Sequence, residues 1–246
     1  MARQSRAPTI LLTRPLLQSQ RFAAQLRARW PDLAVVISPL MAPEFLPVDL
    51  PRRAFAALIL TSETGAEAAR RISAAGQGLP AIVFCVGDRT AQAAKAAGFV
   101  AQSAGGDADA LVALIARQAP EGPLLFLRGQ DSAGDVESRL VSAGTETVSA
   151  IVYTQTEHAL TRDANRLLRA SAPVILPLFS PRSARLFLSQ RPDGPVKAPL
   201  WLAALSPAVA QVAAGLAPDR MGIAATPDAA AMLQAISALL DGRIGS

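Results

Sequence analysis

Short apolar runs of strand length alternate along the whole chain with longer segments whose apolar residues recur every three or four positions. That alternation predicts parallel α/β architecture. Thr9–Thr13 reads as a strand and Pro15–Trp30 as a helix, with Phe22, Leu26 and Trp30 on one stripe. Ala34–Ile37 is a second strand. Ala56–Thr61, Ala81–Val86 and Leu124–Arg128 read as buried strands, each leading into an Ala-rich helix. Val148–Thr154 is a further strand that runs into the polar stretch Gln155–Arg162, and Val174–Phe179, Leu200–Leu205 and Gly222–Ala225 continue the pattern. The last helix carries Met232, Ile236, Leu239 and Leu240 on one stripe, with Thr226 as its expected cap and Pro227 as its first residue. Pro39, Pro43, Pro47 and Pro51 punctuate one stretch, which predicts an extended connector without regular structure.

The pattern also repeats at long range. Thr61-Ser62-Glu63 is echoed by Phe179-Ser180-Pro181, Val86-Gly87-Asp88 by Leu205-Ser206-Pro207, and Gly106-Asp107-Ala108 by Pro227-Asp228-Ala229. Leu12-Thr13-Arg14 is echoed by Leu127-Arg128-Gly129. Four matches in one order, about 120 residues apart, predict an internal duplication of two α/β units.

Several strands end in a small polar residue that leads straight into a helix: Ser62, Gly87 to Thr90, Ser180-Pro181 and Ser206-Pro207. Each such start caps a helix, and each also offers amide groups and a partial positive charge to an anion. In a parallel sheet these turns gather at the carboxyl ends of the strands, where ligands of such folds bind. Ser62, Thr90, Ser180, Ser183 and Ser206 are therefore candidate anion contacts. Arg14 and Arg128, also at strand ends, are candidate carboxylate clamps through bidentate bonds.

Composition narrows the ligand. Hydrophobic residues make up 51% and charged residues 17%, which excludes wholesale disorder. The net charge of +5 rests almost wholly on arginine, with Lys95 and Lys197 the only lysines. The arginines are scattered and aromatics are 4%, too few for a base-stacking platform, so no nucleic-acid partner is expected. No G-x-G-x-x-G follows the first strand and no G-x-x-x-x-G-K-[ST] occurs, so nucleotide readings lack their motifs. Gln234 and Ser237 interrupt the longest apolar stretch well short of the roughly 18 residues of a spanning helix. The amino terminus is basic through Arg3 and Arg6, but Arg14 cuts its apolar run too early for a secretory leader. A cytoplasmic monomer without membrane association is expected. Cys85 and His158 are each the sole residue of their kind, which leaves no set of thiolates or imidazoles to hold a metal. Cys85, inside an apolar strand, reads as core.

The ordered motifs resemble the uroporphyrinogen-III synthase family. The matching segments are Leu12-Thr13-Arg14-Pro15, Ser38-Pro39-Leu40, Leu60-Thr61-Ser62-Glu63-Thr64-Gly65, Val86-Gly87-Asp88-Arg89-Thr90-Ala91, Leu127-Arg128-Gly129, Val152-Tyr153 and Phe179-Ser180-Pro181-Arg182-Ser183. Together they span nearly the entire chain. The resemblance implies two similar parallel-sheet domains, flavodoxin- or Rossmann-like, joined by a two-stranded β-ladder linker. Residues 1–38 and 155–246 would form one domain and 39–154 the other, with the active-site cleft between them. It also implies the reaction: linear hydroxymethylbilane, an octacarboxylate, closes through a spiro intermediate with its terminal ring inverted, giving uroporphyrinogen III and water without metal or cofactor.

By the same resemblance Thr13, Arg14, Ser62, Gly87, Thr90, Arg128, Gly129, Ser180, Ser183 and Ser206 would bind substrate. Tyr153, the one tyrosine, could donate a proton to the departing hydroxyl. One turn departs from the family's pattern. Where a Gly-x-Thr-like turn is usual, this chain has Leu205-Ser206-Pro207-Ala208-Val209 and so lacks the threonine hydroxyl. That departure leaves an alternative, a two-lobed protein that binds an anionic small molecule without chemistry.

Overall fold

A computed structural model describes residues 7–131, 135–190 and 196–242; Arg3 and Arg6 lie outside them. The chain divides into two compact units, Met1–Ala42 with Glu157–Ser246, and Pro43–Thr156.

The first unit is built on β1 (Thr9–Leu12), β2 (Val35–Ile37), β9 (Val174–Leu178), β10 (Leu200–Ala204) and β11 (Arg220–Ile223), in the spatial order β11-β10-β9-β1-β2. Every pairing in this sheet is parallel. Helices α1 (Leu16–Arg29), α6 (Arg162–Arg169), α7 (Pro181–Ser189), α8 (Pro207–Ala213) and α9 (Ala229–Leu240) belong to the same unit. The strands bury both faces. Leu11, Leu176, Leu178, Leu202 and Ala204 point into one core, and Ile10, Leu12, Ile175 and Ala203 into the other. A strand apolar on both faces needs no polar alternation, which is why these segments read as continuous apolar runs.

The second unit carries β3 (Met41–Phe45), β4 (Ala57–Leu60), β5 (Ile82–Cys85), β6 (Val100–Ser103), β7 (Leu124–Gly129) and β8 (Thr147–Glu157), in the order β3-β8-β7-β4-β5-β6. Its helices are α2 (Glu63–Ala74), α3 (Asp88–Ala96), α4 (Ala108–Gln118) and α5 (Val136–Ser142). Leu58, Leu60, Val83, Leu125 and Leu127 fill one core, and Ile59, Phe84, Leu124 and Phe126 the other. The neighbouring strands β3 and β8 are the segments that carry the chain from one unit to the other.

The two sheets share one plan. β6-β5-β4-β7-β8 occupies in the second unit the places of β11-β10-β9-β1-β2 in the first. Each sheet therefore takes strands from both halves of the chain, and the long-range echoes of the sequence fall on corresponding elements.

Four expectations need correction. Pro39–Pro51 is not wholly irregular, because it contains β3. Proline donates no ladder bond, and Pro43 is accommodated because β3 lies at the edge of its sheet. Val100–Ser103, not expected as a strand, pairs with β5 from Ile82↔Val100 to Cys85↔Ser103. It too is an edge strand, and Val100 is 62% exposed, so its apolar signal is weak. The polar residues Gln155–Glu157 continue β8 as strand. The cap of α9 is Asp228 rather than Thr226: Ala231 N–H donates to Asp228 Oδ1 at 2.9 Å, and the Thr226 hydroxyl donates to the same carboxylate.

Candidate functional site

A doubly wound sheet has one place where the chain's winding reverses, and the crevice at the carboxyl ends of those two strands is where ligands bind. In the second unit that place lies between β4 and β7, and in the first between β1 and β9. Most of the expected site residues gather at these two points, each within its own unit.

In the second unit Ser62 follows β4 and is the N-cap of α2. Gly65 N–H donates to its Oγ at 3.0 Å, so a local turn fixes the hydroxyl. Arg128 and Gly129 end β7, and Tyr153 lies on β8. The Tyr153 phenol oxygen is 2.9 Å from Ser62 Oγ, and either hydroxyl can donate. The register between β7 and β8 slips here: Arg128 faces Ile151 but Gly129 faces Tyr153. Such a bulge re-aims a side chain. Tyr153 stays partly exposed beside buried Val152. Arg128 Nη1 donates to the Gly129 carbonyl at 3.2 Å.

Gly87 and Thr90 sit one strand away, after β5. Gly87 is the N-cap of α3 and offers no side chain to its first turn. A Cβ at Gly87 would meet nothing within 4 Å, so the position is open rather than packed. Thr90 is buried at 6% exposure. The structure thus brings Ser62, Gly129 and Tyr153 into contact and sets Gly87 and Thr90 at the adjoining helix start.

In the first unit the Arg14 guanidinium stacks over the Phe179 ring at 4.0 Å, joining the ends of β1 and β9 across the point of reversal. Its Nε donates to Gln18 Oε1 at 3.2 Å. Ser180 and Ser183 form a reciprocal capping box on α7, in which Ser183 N–H donates to Ser180 Oγ and Ser180 N–H donates to Ser183 Oγ. Ser183 is 4% exposed. Ser206 caps α8 by accepting from Val209 N–H at 3.4 Å. Neither α7 nor α8 carries an acidic residue in its first turn, whereas α2 has Glu63 and α3 has Asp88. The starts of α7 and α8 therefore keep more of their positive end for a ligand. Thr13 is 1% exposed and its Oγ1 has no hydrogen-bond partner.

Phe179 is the residue that sequence reasoning passed over. It precedes Ser180 in a motif read for its serine, and only the adjacency of β1 and β9 shows that its ring supports Arg14. Cys85 is fully buried, and burial pushes its thiol up to about 11. It is a packing residue. Among the described residues no group of three or more His, Cys, Asp or Glu could hold a metal.

Chemically, the second unit offers a phenol held by a serine, and both units offer helix starts and guanidinium groups suited to carboxylates. The sequence model of uroporphyrinogen-III synthase HemD matches residues 20–234. Among curated proteins no significant match is found. The crystal structure of the Helicobacter pylori uroporphyrinogen-III synthetase is similar, with a TM-score of 0.63 and 18% identity over 94% of this chain and 99% of that one. At that identity the likeness shows the fold. A mutant uroporphyrinogen III synthase from Thermus thermophilus is 15% identical over 95% of this chain and 99% of its own, with a TM-score of 0.49. With the family model matching most of its length, and both sheets wound as the motifs implied, this chain belongs to the uroporphyrinogen-III synthase family.

Proposed function

We propose that this chain, as a carbon–oxygen lyase, closes linear hydroxymethylbilane to uroporphyrinogen III with release of water. The observation that carries the reading is the family match over residues 20–234. The hydroxyl-bearing cluster at the strand ends supplies what the chemistry needs. Tyr153 gives its proton to the terminal hydroxyl as the C–O bond breaks, and the bonding electron pair leaves with the oxygen as water. The electron-poor carbon left behind is attacked by the substituted carbon of the last pyrrole ring, giving the spiro intermediate. Its fragmentation and reclosure invert that ring, and loss of a ring proton returns the proton to the phenolate. Electrons balance within the substrate, so no redox partner enters.

Assistance of this kind contributes about 10²–10⁴-fold when well placed. Positioning contributes alongside it, because the bilane must be held with its ends together. We assign that task to Thr13, Arg14, Gly87, Thr90, Arg128, Gly129 and the serines 62, 180, 183 and 206, which lie at strand ends and helix starts within the two units. An eightfold anionic substrate suits a protein with dispersed arginines and several helix amino termini better than one compact phosphate site would.

Fed with hydroxymethylbilane, the purified protein should yield the type III isomer. Only the symmetric type I product, which forms without enzyme, would overturn the reading. No helix among the described residues is long and apolar enough to cross a membrane. We place the enzyme in the cytoplasm as a monomer. Light scattering should give the single-chain mass of 25.6 kDa, and a doubled mass would refute the monomer.

A further inference from the structure

The ring of Tyr153 lies directly against the backbone of Gly129. A Cβ built on Gly129 would stand 2.6 Å from both Cε2 and Cζ of that ring and 2.9 Å from its oxygen. No real side chain tolerates such distances against a ring flanked by backbone. The glycine is not there for its own conformation, since Gly129 is absent from the residues with positive φ. Its value is the missing side chain. The slip in register between Arg128 and Gly129 is what sets Tyr153, rather than Val152, opposite this gap. Gln130 N–H donates to the Tyr153 carbonyl at 2.9 Å and fastens the backbone on the far side of the bulge. From the front, Ser62 Oγ meets the phenol at 2.9 Å while accepting from Gly65 N–H.

We propose that Gly129 and Ser62 are positioning residues for the Tyr153 phenol: Gly129 is the floor on which the ring lies, and Ser62 is the post that fixes its oxygen. This rests on the acid role given to Tyr153 above and deepens it. Ser62 already has one lone pair engaged by an amide, so its hydroxyl hydrogen is available to the phenol oxygen. When Ser62 donates, the phenol's own hydrogen is directed elsewhere, toward a substrate hydroxyl. The pair therefore orients the proton as well as the ring.

The chain's one tyrosine makes the test direct, since every tyrosine signal comes from this site. Gly129→Ala should displace the ring. The expected result is a shifted Tyr153 carbon resonance in protein labelled at the tyrosine ζ carbon, together with a kcat lower on the order of 10²-fold and a smaller rise in KM, since Gly129 is also assigned to hold substrate. Ser62→Ala should shift the same resonance and lower kcat. Ser62→Thr, which keeps a hydroxyl at the cap, should recover most of the turnover that Ser62→Ala loses. Should Gly129→Ala not fold, the two Ser62 variants carry the test by themselves. An unmoved tyrosine resonance together with undiminished kcat in Gly129→Ala or Ser62→Ala overturns the proposal. Tyr153→Phe at full rate overturns instead the acid role, and a tyrosine resonance still displaced by Gly129→Ala would then support the placement alone.

Discussion

At the scale of single residues, the argued chemistry separates into a hydroxyl that moves a proton and cations that hold charge. Tyr153→Phe should lower turnover within the range expected of general-acid assistance while product binding stays nearly intact, because the ring still fills its place on Gly129. Steady-state kinetics beside product titration checks this. Arg128→Ala should weaken the binding of uroporphyrinogen, and more so at low salt, where screening is least. Isothermal titration at two ionic strengths measures the difference. Cys85 gives a third expectation. Its thiol is held at about 11 by burial, so it stays protonated at neutral pH and should react with disulfide reagents only after unfolding. Tyr153 and the serines could be singled out from sequence because their motifs are ordered and specific. The contact between Tyr153 and Gly129 could not, since it depends on a one-residue slip between two strands that local pattern does not encode.

At the scale of elements, helix ends show which parts of the pattern are local. Ser62, Ser180 and Ser206 each cap the helix their motif announced, since a hydroxyl three residues before a free amide acts within one turn. Asp107 does the same for α4, accepting from Ala110 N–H at 3.1 Å. Asp107→Ala should cost about 1 kcal/mol of stability, measurable by urea denaturation, without touching the proposed site. On the exposed face of α2, Glu67 accepts from Arg70 at 2.7 Å and from Arg71 at 2.8 Å. These bonds, that from Arg70 foremost, lower its pKa from 4.5 to about 2. A carboxylate depressed in the folded state stabilises above its unfolded value, and that stabilisation disappears as pH falls from about 4.5 to about 2. Solvent keeps it small. Thermal melts should show a shallower acid decline for Glu67→Gln over that window. The edge strands β3 and β6 mark where element-level reading stops. Their residues are half-exposed or interrupted by Pro43, and only pairing with β8 and β5 makes them strands.

At the scale of the whole molecule, the common plan of the two sheets locates the chemistry. Ser62 and Ser180 are equivalent caps after the equivalent strands β4 and β9. β8, which carries Tyr153, has β2 as its counterpart; Ser38, which follows β2, is fully buried, its Oγ accepting from Thr161 N–H at 2.9 Å. The shared plan thus presents two strand-end clusters, of which one carries a phenol and the other stacks Arg14 on Phe179. The cores of both units are apolar on each side of the sheet. Leu176→Ala, in the fully buried β9, should destabilise by about 2–5 kcal/mol through lost burial and a residual cavity. Calorimetry against the unmodified chain gives the value.

Sequence alone determined what acts over a few residues. Strands buried on both faces, helical stripes and serine caps each leave a periodic or local signature, and their order along the chain pointed to the family. Tertiary structure decided what depends on residues far apart meeting: which strands are neighbours, that the winding reverses between β4 and β7 and between β1 and β9, and that Tyr153 lies on Gly129 against Ser62. The reason is physical. A cap or an amphipathic stripe is set by rotation about neighbouring bonds. A phenol lying on a glycine of the neighbouring strand is set by sheet register, which the packing of whole faces selects.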